Sequence, residues 1–441
     1  MPLSADDRLI LTDRRARMMA AMDGGVLVLG AAPEQVRSGD VYYPYRQDSD
    51  FDYLTGLLEP ESIAVLAPGH QEPFALFVRP HDPEKAIWVG PRAGLDGALG
   101  ELGAVAAHAV DDLEKELPRW LRTSERVFLD LSRDDALAHR LLAIVRRVQA
   151  DRPRSGAGPT TLLDARELLH EQRLTKRPDE LAHMRGAIAI ACEAHHEAMR
   201  TTRPGMHEYE VEALIDFTFR RRGASGPAYP SIVAGGANAT VLHYTANDRA
   251  LAETDLLLID AGAERAGYCA DVTRTWPVGK TFSPAQRDCY QAVLAAQHAA
   301  IAAAKPGTTL DALHTIAVRV LSEALATIGL LQGSVDEIVE KETYRRFYMH
   351  RTSHWLGRDV HDVGCYKVGD TPRPLAPGMV FTVEPGCYIP ADADDVPAEF
   401  RGIGIRIEDD VLVTADGVEV LSASAPKTVA DIEALRADAH A

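Results

Sequence analysis

The chain has 441 residues, with 65 acidic against 47 basic side chains; its formal charge of −18 repels a phosphate backbone and excludes nucleic acid or an anionic membrane as an electrostatic partner. Hydrophobic residues make up 46% and aromatics only 6%, which suits an Ala/Leu/Val-rich α/β enzyme and not a disordered or fibrous chain. The length exceeds the size at which one hydrophobic core stops growing, so two domains are expected.

The N-terminal MPLSADDRLILTDRRARMMAAMDGG mixes Asp and Arg without a sustained apolar segment, and no later run is long and uncharged enough to span a membrane. Cys192, Cys269, Cys289, Cys365 and Cys387 are odd in number and lack CxxC spacing, against a disulfide framework or a thiolate zinc site. A soluble cytoplasmic protein is the expectation. Short apolar runs at 24–30, 61–68, 73–80 and 126–132, with a helix-like stretch over 133–150, predict a mixed α/β domain without phosphate-loop or metal-ligand patterns. DRPRSGAGPTT (151–161) reads as its end, and the boundary is placed within 160–175, giving domains 1–172 and 173–441.

From residue 178 the chain repeats itself. An Ala-rich helical run (179–202) ends at Pro204-Gly205 and a second helix follows; another Ala-rich run (284–304) ends at Pro306-Gly307 and again a helix follows. Each half then carries a strand ending carboxylate-x-Gly, at Asp260-Ala-Gly262 and Glu384-Pro-Gly386, and a second acidic strand, with Asp271 in one half and Glu408 in the other. If ERAG (264–267) turns between Arg265 and Ala266, Asp260 and Asp271 face each other across two strands, roughly 4.5–5.5 Å apart at Cβ. In GIGIRIEDD the isoleucines alternate with Gly404, Arg406 and Glu408, so Arg406 and Glu408 share a face.

If the halves pack about a pseudo-twofold axis, four carboxylates converge. Two like charges about 4 Å apart repel by roughly 4 kcal/mol at an effective dielectric near 20, so four ionised acids would consume most of a domain's ~5–15 kcal/mol. Two divalent cations balance them directly, and an oxygen-rich set with one imidazole suits manganese, cobalt, iron or zinc. MHRTSHWLGRDVHDVG (349–364) supplies His350, His354 and His361; Gly357 and the absence of HExxH predict a loop and not a zincin helix. His195 and His196 read as structural.

These residues resemble the pita-bread metallopeptidases, and within them the proline-specific aminopeptidases. The likeness is carried by YPYRQDSDFDYLTGLLEPES (43–62), LHYTAND (242–248), IDAGAERAGYCADVTRTWP (259–277), HRTSHWLGRDVHDVG (350–364), TVEPGCYI (382–389) and GIGIRIEDDVLVT (402–414), and spans nearly the whole chain. It implies an α/β (α+β) protein: a small mixed α/β N-terminal domain with oligomer contacts at the pocket rim, and a C-terminal pita-bread domain with pseudo-twofold internal duplication. It further implies hydrolysis of the N-terminal Xaa-Pro bond by a hydroxide bridging two metal ions, Mn2+ foremost and Co2+, Fe2+ or Zn2+ as alternatives. Asp260, Asp271, His354, Glu384 and Glu408 become the ligands. Glu384, His243, His361 and Arg406 become the catalytic groups, and His243, His350, His361, Tyr229, Tyr388, Arg406 and Trp88 the substrate contacts. The implied partners are peptides with proline second and further copies of the chain, as a homotetramer or homodimer, with no nucleic acid or membrane. Departures from the family pattern fall at Arg351, Thr352, Ser225 and Gly226. The alternatives are prolidase, acting on Xaa-Pro dipeptides with the same ligands, and a catalytically silent binding module, a type that typically lacks several of the five ligands; this chain has all five.

Overall fold

A computed structural model describes residues 3–130 and 135–439 and divides into two compact units, Met1–Gln172 and Arg173–Ala441. Unit one is built on a six-stranded mixed sheet: β1 (Val26–Gly30), β2 (Ile63–Leu66), β3 (Phe74–Val78), β4 (Ala106–Ala109), β5 (Arg126–Leu129) and β6 (Thr161–Asp164), in spatial order β4-β3-β2-β1-β5-β6. β2 runs antiparallel to β1 and β3, and the other pairs are parallel. Strands covered on both faces need apolar side chains at every position, which is why β1 to β3 read as continuous hydrophobic runs. The stretch 151–161 does not end this unit: helix Asp135–Ser155 runs into it with Pro153 in its last turn, and β6 follows as an outer strand. Residues 131 and 132 of the fourth apolar run, and 133 and 134 of the helical stretch, lie outside the described residues.

Unit two repeats one pattern. Helices Pro178–Thr201 and Glu208–Arg221 precede an antiparallel sheet of β7 (Ile232–Gly235), β8 (Leu256–Asp260) and, after a hairpin of β9 (Ala263–Arg265) and β10 (Tyr268–Cys269), β11 (Thr273–Pro277). Helices Pro284–Ala303 and Leu310–Thr327 precede β12 (Val380–Val383), the ribbon of β13 (Gly386–Tyr388) with β14 (Gly404–Arg406), then β15 (Asp409–Val413) and β16 (Val418–Val420). Gly205 and Gly307 both take φ +89°, a left-handed backbone that lets the chain turn between the helices of each pair. Helix Pro178–Thr201 buries Met184, Ala187, Ile188, Ala191 and Ala198 at three- and four-residue spacing, and the larger of these side chains each gain about 1.5–3 kcal/mol by leaving water.

The hairpin that carries the first two acids has a different register from the one its sequence predicts. Glu264 pairs with Cys269, Arg265 with Tyr268 and, further down, Asp260 with Thr273, so the turn is centred on Ala266-Gly267. Both take positive φ, +52° and +73°, the requirement of a two-residue type I′ turn whose twist matches the strands. Asp260 therefore faces Thr273, with Asp271 diagonal to it. A two-residue shift keeps side chains on their face, so the acids still meet.

Behind them the halves are tied by polar groups. Arg274, fully enclosed, donates to Asp409 Oδ1 at 2.7 Å and to the carbonyls of Thr273 and Glu408 at 2.9 and 2.5 Å, joining β11 to the strand that begins after Glu408. Among the described residues no helix is long and apolar enough to cross a membrane.

Candidate active site

A cavity of about 910 Å³ opens in unit two, and its wall includes Asp260, Asp271, His354, Glu384 and Glu408. β8 presents Asp260 at its last residue, and Asp271 lies just before β11. Glu384 follows β12, and Glu408 sits between β14 and β15. His354 stands in a loop, as the glycine at 357 predicts, hydrogen-bonded through its backbone to Thr382 of β12.

The geometry is that of an anion cluster. Asp271, His354 and Glu408 each offer an atom within 4.8 Å of the others. His354 Nε2 lies 3.3 Å from Asp271 Oδ2 and 3.5 Å from Glu384 Oε1, while Nδ1 donates to the Trp355 carbonyl at 3.0 Å and so aims Nε2 at the acids. The Tyr229 hydroxyl is 2.5 Å from Oδ1 of both Asp260 and Asp271. Glu408 accepts from Thr273 Oγ1 at 2.7 Å.

Burial and mutual repulsion push these acids toward the protonated form. Glu384 is raised to about 7, first by burial and then by Asp271 and Asp260, against the pull of His354 and Arg406. Asp271 and Glu408 are raised for the same reasons, Glu408 well above the carboxylate range. Burial alone would lower His354, but its bond to Asp271 and the charges of Glu384 and Asp271 carry it up to about 9. Four carboxylates and an imidazole with a lone pair aimed among them fit hard-to-borderline divalent ions, whose charge would relieve the repulsion.

The other sequence-predicted residues divide by position. His243 and His361 are exposed on the cavity wall, and the His361 ring meets that of His354 edge-on at 4.4 Å. Arg406 lines the wall and is buried; it donates to Asp260 Oδ2 at 2.6 Å, Thr273 Oγ1 at 3.2 Å and the Tyr388 hydroxyl at 3.1 Å. Tyr388 is not on the wall: it stands behind it, and its hydroxyl donates to His350 Nε2 at 2.8 Å. His350 reaches the cavity with both nitrogens engaged, since Nδ1 donates to the Arg351 carbonyl at 2.8 Å; burial and the nearby Arg406 lower it to about 3. Trp88 lies in unit one at the end of helix Pro83–Val89, 87% exposed, so it is not a core tryptophan of this chain, and the cavity walls do not include it.

Tyr229, expected as a substrate contact, touches the acids themselves. Two features escaped the sequence: Asp410 holds the Asp271 backbone N–H at 3.1 Å, and Asp311 and His314 reach the wall from helix Leu310–Thr327. The double acid in IEDD was the available signal for Asp410. A histidine on an amphipathic helix carries none.

A duplicated fold whose seam gathers four acids and a histidine defines a metallopeptidase, and the chain belongs to metallopeptidase family M24, whose model matches residues 182–415; the aminopeptidase P N-terminal domain matches residues 11–128. The pita-bread architecture follows. The chain is 42% identical to the Xaa-Pro aminopeptidase of Haemophilus influenzae over 96% of both proteins. Its structure matches the aminopeptidase PepP of Pseudomonas aeruginosa with a TM-score of 0.96 and 46% identity over 98% of each chain. Aminopeptidase P from E. coli with the inhibitor Pro-Leu matches with a TM-score of 0.95 and 41% identity over 100% of each chain.

Proposed function

We propose that this chain is an aminopeptidase that removes the residue preceding proline from peptide N-termini, using two divalent ions held by Asp260, Asp271, His354, Glu384 and Glu408. The observation that carries this reading is the convergence of those five side chains in one cavity, on a chain whose relatives bear the name Xaa-Pro aminopeptidase. When bound, the ions supply Lewis acidity toward water and toward a peptide carbonyl oxygen.

The residues divide the remaining work. Glu384, on the cavity wall, accepts a proton from the attacking water at a carboxylate oxygen and returns it to the leaving proline nitrogen. His243 and His361, exposed on the wall, donate to the carbonyl oxygen as it gains charge. The acids receive the substrate's α-amine, which limits cleavage to the first residue. Arg406 holds Asp260 in place through a 2.6 Å hydrogen bond, and Tyr388 orients His350 behind the substrate. An Xaa-Pro bond has no N–H and a fixed φ, so a cleft that grips extended backbone through that N–H gains nothing, whereas a roomy pocket built around the α-amine does.

Manganese is the favoured ion, a cytoplasmic location fits five free cysteines, and assembly as a dimer or tetramer fits the exposed Ile87-Trp88-Val89 run, with Trp88 reaching a neighbouring copy's cavity. The test is a panel of Xaa-Pro-Yaa against Xaa-Ala-Yaa peptides, with manganese restored after chelation. Cleavage confined to Xaa-Pro-Yaa is expected; turnover of Xaa-Pro dipeptides alone would make the protein a prolidase, and a cavity of about 910 Å³ argues for longer substrates.

A further inference from the structure

Beside the acids the wall carries a histidine that this chemistry leaves unused. His314, on helix Leu310–Thr327, lines the cavity with Asp311, Arg351 and Thr352, and Asp311 and Arg351 form an ion pair next to it. His314 Nδ1 is 2.8 Å from Thr352 Oγ1, which is 2.7 Å from the hydroxyl of Tyr348. Thr352 and Tyr348 are both enclosed. The same threonine accepts the Glu384 backbone N–H on its carbonyl at 2.8 Å, so the trio sits one strand away from the proton-carrying acid.

Three groups share two contacts, and one arrangement uses every enclosed hydrogen. Were the ring proton on Nδ1 and donated to Thr352, either the threonine or the tyrosine hydrogen would be left in the interior without an acceptor, at a cost of about 1–3 kcal/mol. In the other arrangement Tyr348 donates to Thr352, Thr352 donates to Nδ1, and the proton of the neutral ring sits on Nε2. The ring is neutral at working pH, since burial and Arg351 lower it to about 4. Among the described residues Nε2 has no acceptor, and the side chain is only partly buried.

We propose that His314 is a specificity-determining residue that offers a neutral Nε2–H to a carbonyl-type acceptor of the bound peptide, with Tyr348 and Thr352 holding that tautomer. The acceptor is a backbone carbonyl or the side-chain carbonyl or carboxylate of a residue flanking the scissile bond. Thr352 is the residue that makes this work: among the described residues its hydroxyl is the one placed between the ring and Tyr348.

The inference rests on the reading of the cavity as a peptide site, and two measurements separate the failure of one from failure of the other. The first uses the manganese-loaded enzyme and Xaa-Pro-Yaa peptides with Asn, Gln, Asp or Leu flanking the bond. His314→Ala and Thr352→Val should lower kcat/KM about tenfold, the worth of one hydrogen bond, with metal content unchanged, while His314→Gln and Thr352→Ser recover most of it. A uniform loss assigns the acceptor to the backbone; a loss confined to Asn, Gln and Asp assigns it to the side chain. Wild-type kcat/KM in His314→Ala for every peptide, or equal losses in Thr352→Ser and Thr352→Val, would overturn the proposal. The second is 15N NMR of the zinc-loaded wild-type protein, with the His314 signals identified by their absence in His314→Gln. The Nε2–H tautomer is expected whichever peptide is cleaved, and an Nδ1–H ring would overturn the relay even if His314→Ala and Thr352→Val misfolded.

Discussion

Arg406 donates from Nη2 to Oδ2 of Asp260 across 2.6 Å, and the two residues come from opposite halves of the duplication. Burial alone would ease the guanidinium's proton off, but Tyr388, Asp260 and Glu408 hold it on firmly, so a full positive charge faces the acids. Arg406→Met should leave Asp260 a buried charge without its partner and cost metal-free protein about 3–5 kcal/mol. Manganese would then raise the Tm of the variant more than that of the parent, because the ions replace the lost cation. Thermal melts with and without metal decide this; equal melting of both chelated proteins would show that Arg406 does not balance the cluster.

Glu408 is 1% exposed and contacts Thr273 across the seam. Glu408→Ala should cut metal occupancy and peptidase activity together. A variant that keeps both, by metal analysis and initial rates, would remove Glu408 from the ligand set.

The pH response of chelated protein follows from two groups of the same sign. Glu384 is raised from 4.5 to about 7 in the folded protein and His354 from 6.5 to about 9. Each binds its proton more tightly folded than unfolded, so its stabilisation is complete below the unfolded value and is lost as pH rises through the folded one. Above pH 7, where the pKa-lowered His195, His350 and His314 are neutral folded and unfolded alike, the Tm of metal-free protein should therefore fall toward pH 9, and manganese should flatten that fall while releasing protons. Calorimetry in buffers of different ionisation enthalpy counts them; a Tm that climbs with pH in the chelated protein contradicts the assignment.

Gly262 follows the first acid at a point where backbones nearly touch. A Cβ there would lie 1.7 Å from the Ala270 carbonyl oxygen, one residue before Asp271, and main chain cannot step aside as a side chain can. Gly262→Ala should cost at least about 1–3 kcal/mol and weaken metal uptake, whereas Gly417→Ala, with open space around it, should do neither. Denaturant melts and metal titration of the two variants make the comparison.

Much of this layout is legible in the chain because the physics is local. The paired Pro-Gly stops and Ala-rich helices announce the duplication, and strict alternation in GIGIRIEDD puts Arg406 and Glu408 on one side. The hairpin register differs from the one the sequence predicts because Ala266 enters the left-handed region, which only its neighbour Gly267 advertises; the two-residue difference makes Asp260 and Asp271 diagonal instead of opposite but keeps them on one face. His314 and Tyr348 carried no readable signal, since the role of His314 comes from a partner 38 residues away and that of Tyr348 from a single threonine hydroxyl four residues on; Tyr229 was legible as a substrate contact, but not its touch on Asp260 and Asp271. The 151–161 stretch misled for a related reason: Pro153 is tolerated in a final helical turn, where composition alone suggests a break.

The acids that would hold the ions come from β8, the approach to β11, the end of β12 and the step between β14 and β15, so they leave the ribosome in turn, Glu408 last of the four. A half-synthesised or truncated molecule has at most half a coordination shell. Such a peptidase is born inert, and its hydrolytic power arrives only with the completed fold.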